Sequence, residues 1–258
     1  MKKRISIIIL VILSICVTNA QDVIRTITAG DWTKTLEKDV PYILEQFGSN
    51  IAIREGATYL NFLVLPETLT FNTLELEGVL INGVRWATSN VNMPGTFAAN
   101  PEDAGLFYQW GSNVGWSSTD PLTATDGINT WRDLSEKGNT WQTAKNPCPN
   151  GWRVPTYDEL NSLTQTNNVT FMWTTENSVN GYRLTDKTTG NSLFLPAAGY
   201  RDYYYGGGSL NAVDMYGFYW SATLYGTYAY TLFFYSGIFT MYSNNRAYCF
   251  SVRCVAEN

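Results

Sequence analysis

The order of local patterns along the chain predicts an α+β fold. Strands come first, then a long irregular stretch, one capped helix, and strands again, which does not fit a doubly wound sheet. Composition adds a second observation. Aromatic residues make up 15% of the 258 residues and charged residues another 15%, whereas soluble domains usually carry about 25% charged residues. Such a rigid, aromatic-rich composition suits an extracellular, β-rich protein. The third observation is an N-terminal segment that reads as an address rather than as part of the fold.

That segment is residues 1–20. Lys2, Lys3 and Arg4 form a positive start, Ile5 to Val17 is an apolar run, and Thr18-Asn19-Ala20 offers small residues for cleavage before Gln21. The apolar run is shorter than the roughly 20 residues a membrane-spanning helix needs. A signal peptide, and export to the cell surface, the outer membrane or the medium, is the expectation. In Leu13-Ser14-Ile15-Cys16 a cysteine follows an apolar stretch, so a lipid anchor on Cys16 is the other reading. It places the bulky Ile15 where lipoprotein signals carry a small residue. Such an anchor is the only membrane association expected.

Cleavage removes three of the 17 basic residues and none of the 22 acidic ones, leaving a net charge of −8. An acidic chain without a basic run is a poor partner for nucleic acid or anionic lipid. The chain has no histidine. A Ser-His-Asp or Cys-His mechanism is therefore excluded, and so is a histidine-bearing zinc site.

Residues 21–76 read as a short, mostly β segment. A short helix is expected around Val40 to Phe47, followed by strands at Ile51 to Arg54 and Tyr59 to Leu65, where Pro66 stops the second. Leu69, Phe71, Leu74 and Leu76 continue an apolar pattern. The phrase at 59–66 is similar to a strand of Bacteroides fimbrillin-like pilins, which suggests a pilin-like remnant or an assembly segment. About 55 residues is small for an independent core.

Residues 77–258 form the larger domain. Eight of the nine tryptophans lie there. Val79-Leu80-Ile81 and Val84-Arg85-Trp86 flank Asn82-Gly83, a dipeptide suited to a two-residue type I′ turn. Residues 88–150 are rich in Gly, Pro, Asn, Ser and Thr, with Trp110, Trp116, Trp131 and Trp141 expected to be buried. Long structured loops of this kind are often functional. Thr156 stands three residues before Glu159 and predicts a capping box, with Tyr157, Leu160 and Leu163 on one helix face. Strands follow at Leu193 to Pro196, Phe218 to Trp220, Tyr228 to Phe234, Gly237 to Tyr242 and Tyr248 to Val255, with a turn at Ser236-Gly237.

Five phrases in this order carry a family resemblance. They are Gly105 to Gly111 (Gly-Leu-Phe-Tyr-Gln-Trp-Gly), Cys148 to Thr156 (Cys-Pro-Asn-Gly-Trp-Arg-Val-Pro-Thr), Leu195 to Arg201, Gly217 to Ala222, and Phe250 to Val255. Residues 77–258 thereby resemble the Fibrobacter succinogenes major paralogous family. The resemblance implies a C-type-lectin-like domain with one main helix, small antiparallel sheets and a long loop region. Its members are exported by Bacteroidetes and related bacteria, and some sit at fimbrial tips.

Three cysteines follow the leader. Cys148 precedes the helix and Cys254 lies at the end, so a bond between them brackets the domain and is the expected disulfide. Cys249 and Cys254 are five residues apart, on opposite faces of an extended strand, and cannot pair without a sharp bend. Cys249 is left free or partly buried. A competing reading takes Cys249-Phe-Ser-Val-Arg253-Cys254 as similar to the Cys-x-x-x-Arg-Cys pair of formylglycine-generating enzymes, in which two thiolates hold Cu(I). In that family the pair lies upstream of the closing strand.

The expected function is non-enzymatic binding or adhesion at the cell surface. Tyr203, Tyr204 and Tyr205, followed by three glycines, offer an aromatic loop on which sugar rings stack, with Trp116 and Tyr225 as further candidate contacts. Carbohydrate or another surface ligand is the expected partner, with other fimbrial subunits beside it. No cofactor is expected. The Glu-Pro-Asn and Gln-Pro-Asp triplets of calcium-dependent sugar-binding lectins are absent, although a loop-bound calcium ion stays open. A structural pilus component is the alternative, and the copper-thiol oxidase is the remaining enzymatic one.

Overall fold

The computed structural model describes residues 78–204 and 207–257 in full, and, as backbone only, seven strands between residues 13 and 73. The remainder of the leader read at residues 1–20, Cys16 included, and Tyr205 lie outside the described residues. The chain divides into two compact units, Met1–Glu77 and Gly78–Asn258, which are described separately.

The first unit contains β1 (Leu13–Ser14), β2 (Ile24–Ala29), β3 (Trp32–Thr35), β4 (Tyr42–Phe47), β5 (Asn50–Glu55), β6 (Thr58–Val64) and β7 (Thr70–Thr73). They form two antiparallel sheets, ordered β1-β4-β5-β6 and β3-β2-β7. The helix expected at Val40 to Phe47 is instead strand β4, paired with β5 from Tyr42↔Glu55 to Phe47↔Asn50. So short a helix is marginal on its own. Aromatic and branched residues such as Tyr42, Ile43 and Phe47 suit a pleated strand once a partner is present.

The second unit opens with the expected hairpin of β8 (Val79–Ile81) and β9 (Val84–Trp86). Asn82 and Gly83 take positive φ values of 47° and 80° at its turn. The loop-rich stretch holds only β10 (Phe107–Gln109), β11 (Gly115–Trp116) and a single 3₁₀ turn at Thr143–Lys145. After β12 (Trp152–Arg153) comes α1 (Tyr157–Ser162), and its capping box is formed. Thr156 Oγ1 accepts from Glu159 N–H, while the Glu159 carboxylate accepts from Thr156 N–H at 2.7 Å.

Beyond the helix, β13 (Val169–Glu176) and β14 (Val179–Asp186) form a long hairpin with β15 (Ser192–Pro196) beside it. Next come β16 (Tyr200–Asp202), β17 (Ser209–Asn211), β18 (Gly217–Tyr225), β19 (Tyr228–Tyr235), β20 (Ile238–Asn245), β21 (Cys249–Phe250) and β22 (Val255–Ala256). The sheets of this unit are β11-β10-β21-β16-β17, β12-β22-β9-β8, β13-β14-β15 and β18-β19-β20, and every pairing within them is antiparallel.

This architecture corrects the α+β expectation, and with it the C-type-lectin-like domain. The fold is mostly β, built from several small antiparallel sheets, with one six-residue α-helix among the described residues. Two causes can be named. The helix is short, with a C-cap at Leu163. Residues 169–186, for which no strands were expected, pair with one another along their whole length. The single closing strand expected at Tyr248 to Val255 is also corrected. It is broken into β21 and β22 because the chain between them turns to serve other partners. There Cys254 and Val252 carbonyls accept from Ala87 and Val91 N–H, and Ser251 bridges in parallel to Tyr219 of β18.

Two main cores result. One lies between the β13-β14-β15 and β18-β19-β20 sheets and includes Leu160, Leu163, Tyr182, Leu195, Leu232 and Phe234. The other gathers Trp110, Trp152, Trp220, Phe250 and the Cys148–Cys254 bond. The disulfide joins residues 106 apart in sequence, a closure worth about 4–5 kcal/mol in the chain-entropy model.

Candidate functional site

The tyrosine loop is held from below by β16. Strand alternation sends Arg201 inward, where it is fully buried. Its Nε donates to the Ser117 carbonyl at 2.6 Å. Its terminal nitrogens donate to the carbonyls of Thr119 at 2.6 Å and Gly208 at 2.7 Å, and to Asp120 Oδ1 at 3.2 Å. One guanidinium thus ties the end of the loop at Gly208 to the segment 117–120. Asp202 fixes the loop's start, accepting from Tyr204 N–H through Oδ1 at 2.7 Å and from Gly208 N–H through its carbonyl at 2.9 Å. Gly208 has φ +89°, and a Cβ there would lie 2.3 Å from the Trp131 ring. Only glycine lets the loop lie against that indole.

From this loop a connected row of aromatic rings crosses the surface of the second unit. Tyr204, 67% exposed, meets Tyr203 at 5.9 Å between ring centroids, and Tyr203 meets Tyr248 at 4.8 Å. Tyr248 and Tyr200 cover the buried Phe250, on which Phe218 stacks at 4.6 Å. Phe233 stacks on Phe218 at 4.7 Å and leads on to Tyr216, Tyr235 and Tyr242. The cause is strand alternation. Phe218 of β18 and Phe233 and Tyr235 of β19 leave the sheet on the face opposite Tyr219, Leu232 and Phe234, which enter the first core.

The rings of this strip carry no charge. The hydroxyls of Tyr200, Tyr203, Tyr216, Tyr235 and Tyr242 form no hydrogen bond among the described residues. Burial, with help from Asp202 and Tyr216, pushes the Tyr200 phenol above its ordinary value, so it remains a neutral donor. The surface is therefore apolar on its ring faces and hydrogen-bonding at its ring tips.

The expected site residues separate on this frame. Tyr203 and Tyr204 lie together on the strip. Trp116 does not reach it: the ring is wholly buried, packed against Trp131 at 5.0 Å and under the Arg132 guanidinium. Trp116 supports the loop's floor, a correction to its reading as a ligand contact. Trp110 is buried as expected, whereas Trp131 and Trp141 are only half-buried. Tyr225 is exposed, but its ring meets Tyr230 at 5.3 Å and, through it, Tyr157, a separate cluster. Sequence reading missed Arg201, Asp202 and Trp131 as the loop's supports, and the strip beyond Tyr204. The alternation of Tyr and Phe in β19 was the available signal.

The cysteines are placed as follows. Cys148 and Cys254 are bonded, with 6.1 Å between their Cα atoms. Cys249 is free and buried beside Phe107, Trp116 and Ala198. Burial pushes its thiol well above the ordinary value, which leaves little thiolate. With Cys254 in the disulfide, a Cys249–Cys254 dithiolate does not form in this structure.

Two small clefts lie elsewhere. One of about 240 Å³ is lined by Trp141, Arg153 and Glu257, among others, and one of about 150 Å³ by Glu176 and Arg183. Their arginines are already committed. Arg153 is bidentate to Glu159 at 2.6 and 2.8 Å, and Arg183 pairs with Glu176 at 2.9 Å. Among the described residues, no group of three or more Cys, Asp or Glu is placed to hold a metal ion.

The second buried arginine, Arg253, sits in the interior. It donates to Asn90 Oδ1 at 2.9 Å and to the carbonyls of Ala87, Thr88 and Pro101. No carboxylate is among these partners. Burial pushes the guanidinium down to about 10, against the pull of Tyr219.

The family model of the Fibrobacter succinogenes major domain matches residues 79–256. That span is well over half of the chain, and the chain belongs to this family. Comparison with curated proteins and with solved structures found no match.

Proposed function

We propose that this Fibrobacter succinogenes major domain protein is an exported, non-enzymatic binding protein of the cell surface, and that its ligand is a neutral glycan laid along the aromatic strip. Adhesion, from the cell surface or from a fimbrial tip, is the role this reading gives it. The observation that carries it is the strip itself: uncharged rings, with Tyr204, Tyr235 and Tyr242 exposed among them, and with the hydroxyls of Tyr200, Tyr203, Tyr216, Tyr235 and Tyr242 hydrogen-bonded to no described residue. Sugar rings present apolar C–H faces bordered by hydroxyls, which matches stacking faces edged with hydrogen-bonding groups. An anionic ligand would need a cation, and the strip's rings offer none. The leader at residues 1–20 supports export.

A glycan array probed with the whole exported chain, beside a Tyr203→Ala/Tyr204→Ala variant and a Phe233→Ala/Tyr242→Ala variant, tests the reading. Binding by the parent, with a loss of about tenfold or more in each folded variant, is expected, since each variant removes two contact rings and about 1.4 kcal/mol corresponds to a tenfold change in affinity. Silence from a folded, disulfide-bonded parent across neutral glycans would overturn it and favour a structural surface subunit.

A further inference from the structure

The β18-β19-β20 sheet ends on β20, and no described strand pairs with its outer edge. In an antiparallel pair, every second residue of the outer strand turns its N–H and C=O away from its neighbour. Apart from the Asn245 carbonyl at its end, which accepts from Tyr248 N–H, those groups of β20 have no backbone partner among the described residues. Most other sheet edges of this unit are strands of only two to five residues: β8, β11, β12, β15 and β17. The opposite edge, β18, is partly covered, because Trp220 N–H and Ala222 N–H donate to the carbonyls of Ser251 and Pro155.

β20 is different. It runs eight residues, pairs with β19 along its whole length without a bulge, and contains neither a charged residue nor a proline. Charge, proline, bulges and shortness are the devices by which proteins keep sheet edges from pairing, and β20 has none of them. The other eight-residue edge, β13, ends on Glu176. Its Phe171 stacks on Phe239 of β20 at 4.9 Å, so the two edges lie on the same side of the unit. Half-buried Phe171, Trp173, Phe239 and Met241 rim the first core there.

We propose that β20 pairs antiparallel with β20 of a second copy of this chain, merging the two three-stranded sheets into one of six. A second copy is the occupant these residues favour. An edge that meets itself about a two-fold axis must tolerate its own side chains, and an uncharged strand does so even in a chain whose mature net charge is −8 from its 14 basic and 22 acidic residues. The pairing also has a consequence for ligand binding. Tyr242 lies on β20 and ends the aromatic strip, so the dimer sets two strips side by side on one continuous sheet.

Sedimentation velocity on the whole exported chain, over a dilution series, tests the proposal. A dimer is expected for the parent and for Met172→Lys on β13. Thr240→Lys places like charges across the two-fold axis and is expected to give a monomer with unchanged near-ultraviolet dichroism. Hydrogen exchange on the unmodified chain provides a readout independent of any variant: β20 amides should become protected as concentration rises. A parent that stays monomeric, a dimer untouched by Thr240→Lys, or β20 exchange that stays fast in a dimer would each overturn the pairing. Glycan binding by a monomeric parent would leave the ligand reading standing while this one fell.

Discussion

Arg201 and Arg253 are both closed off from solvent, yet the regions they organise balance the buried charge differently. Around Arg253, only neutral groups do so: the carbonyls of Ala87, Thr88 and Pro101, the amide oxygen of Asn90 and the Tyr219 hydroxyl. The residue stitches the segment 87–101 to the closing residues and is itself wholly buried. Around Arg201, three carbonyls are joined by Asp120, whose side chain is 72% exposed. That region lies beneath the tyrosine loop. The contrast separates a core lock, whose removal strands polar groups in the interior, from a loop tie, whose removal lets water reach the carbonyls it leaves.

Arg253→Ala is expected to have the largest effect. Each buried acceptor left without a donor costs about 1–3 kcal/mol, and several are left here. A loss of about 4 kcal/mol in urea-unfolding free energy is the expected outcome. A loss below about 1 kcal/mol would mean that water replaces the guanidinium and that the two regions are alike after all.

Arg201→Ala sharpens the comparison. Its stability loss is expected to be smaller, about 2 kcal/mol, because Asp120 and the neighbouring loop can be hydrated. Its glycan binding is expected to fall by about tenfold or more even where the protein is fully folded, since Gly208 is no longer tied to residues 117–120. Isothermal titration beside thermal unfolding separates the two effects. A variant that binds like the parent would remove Arg201 from any role in holding the tyrosine loop.

Asp120→Asn is expected to change least. The carboxylate is largely exposed and 3.2 Å from the guanidinium, and such pairs are worth about 0–1 kcal/mol. Chemical denaturation should place the variant within that range of the parent. A loss of several kcal/mol would show that Arg201 depends on its acid, unlike Arg253.

Much of the local structure was legible before any fold was known. Asn82-Gly83 set a turn, Thr156 with Glu159 set a helix start, and Ser236-Gly237 set the β19–β20 hairpin, because each depends on backbone preferences within a few residues. The helix expected at Val40 to Phe47 failed for the opposite reason. A strand there depends on β5 in space, and no local signal announces that partner. Residues 169–186 were missed although their signal was local, a β-branched and aromatic run closed by a turn at Asn177-Ser178. The site divides along the same line. Tyr203 and Tyr204 were visible as an aromatic cluster, whereas the burial of Trp116 and the ties from Arg201 to Ser117 and Thr119 depend on residues more than 80 positions apart.

By itself, then, the sequence determined the family, through five phrases in order, the exclusion of histidine chemistry, the turns and the helix cap. Composition and short-range stereochemistry suffice for these. Only the tertiary structure decided that the fold is mostly β, that the closing strand breaks where Ser251, Val252 and Cys254 take other backbone partners, and that rings from β16, β18, β19, β20 and β21 form one surface. Pairing and burial are set by residues far apart in the chain, and a strand's partner and a ring's exposure exist only once those residues meet.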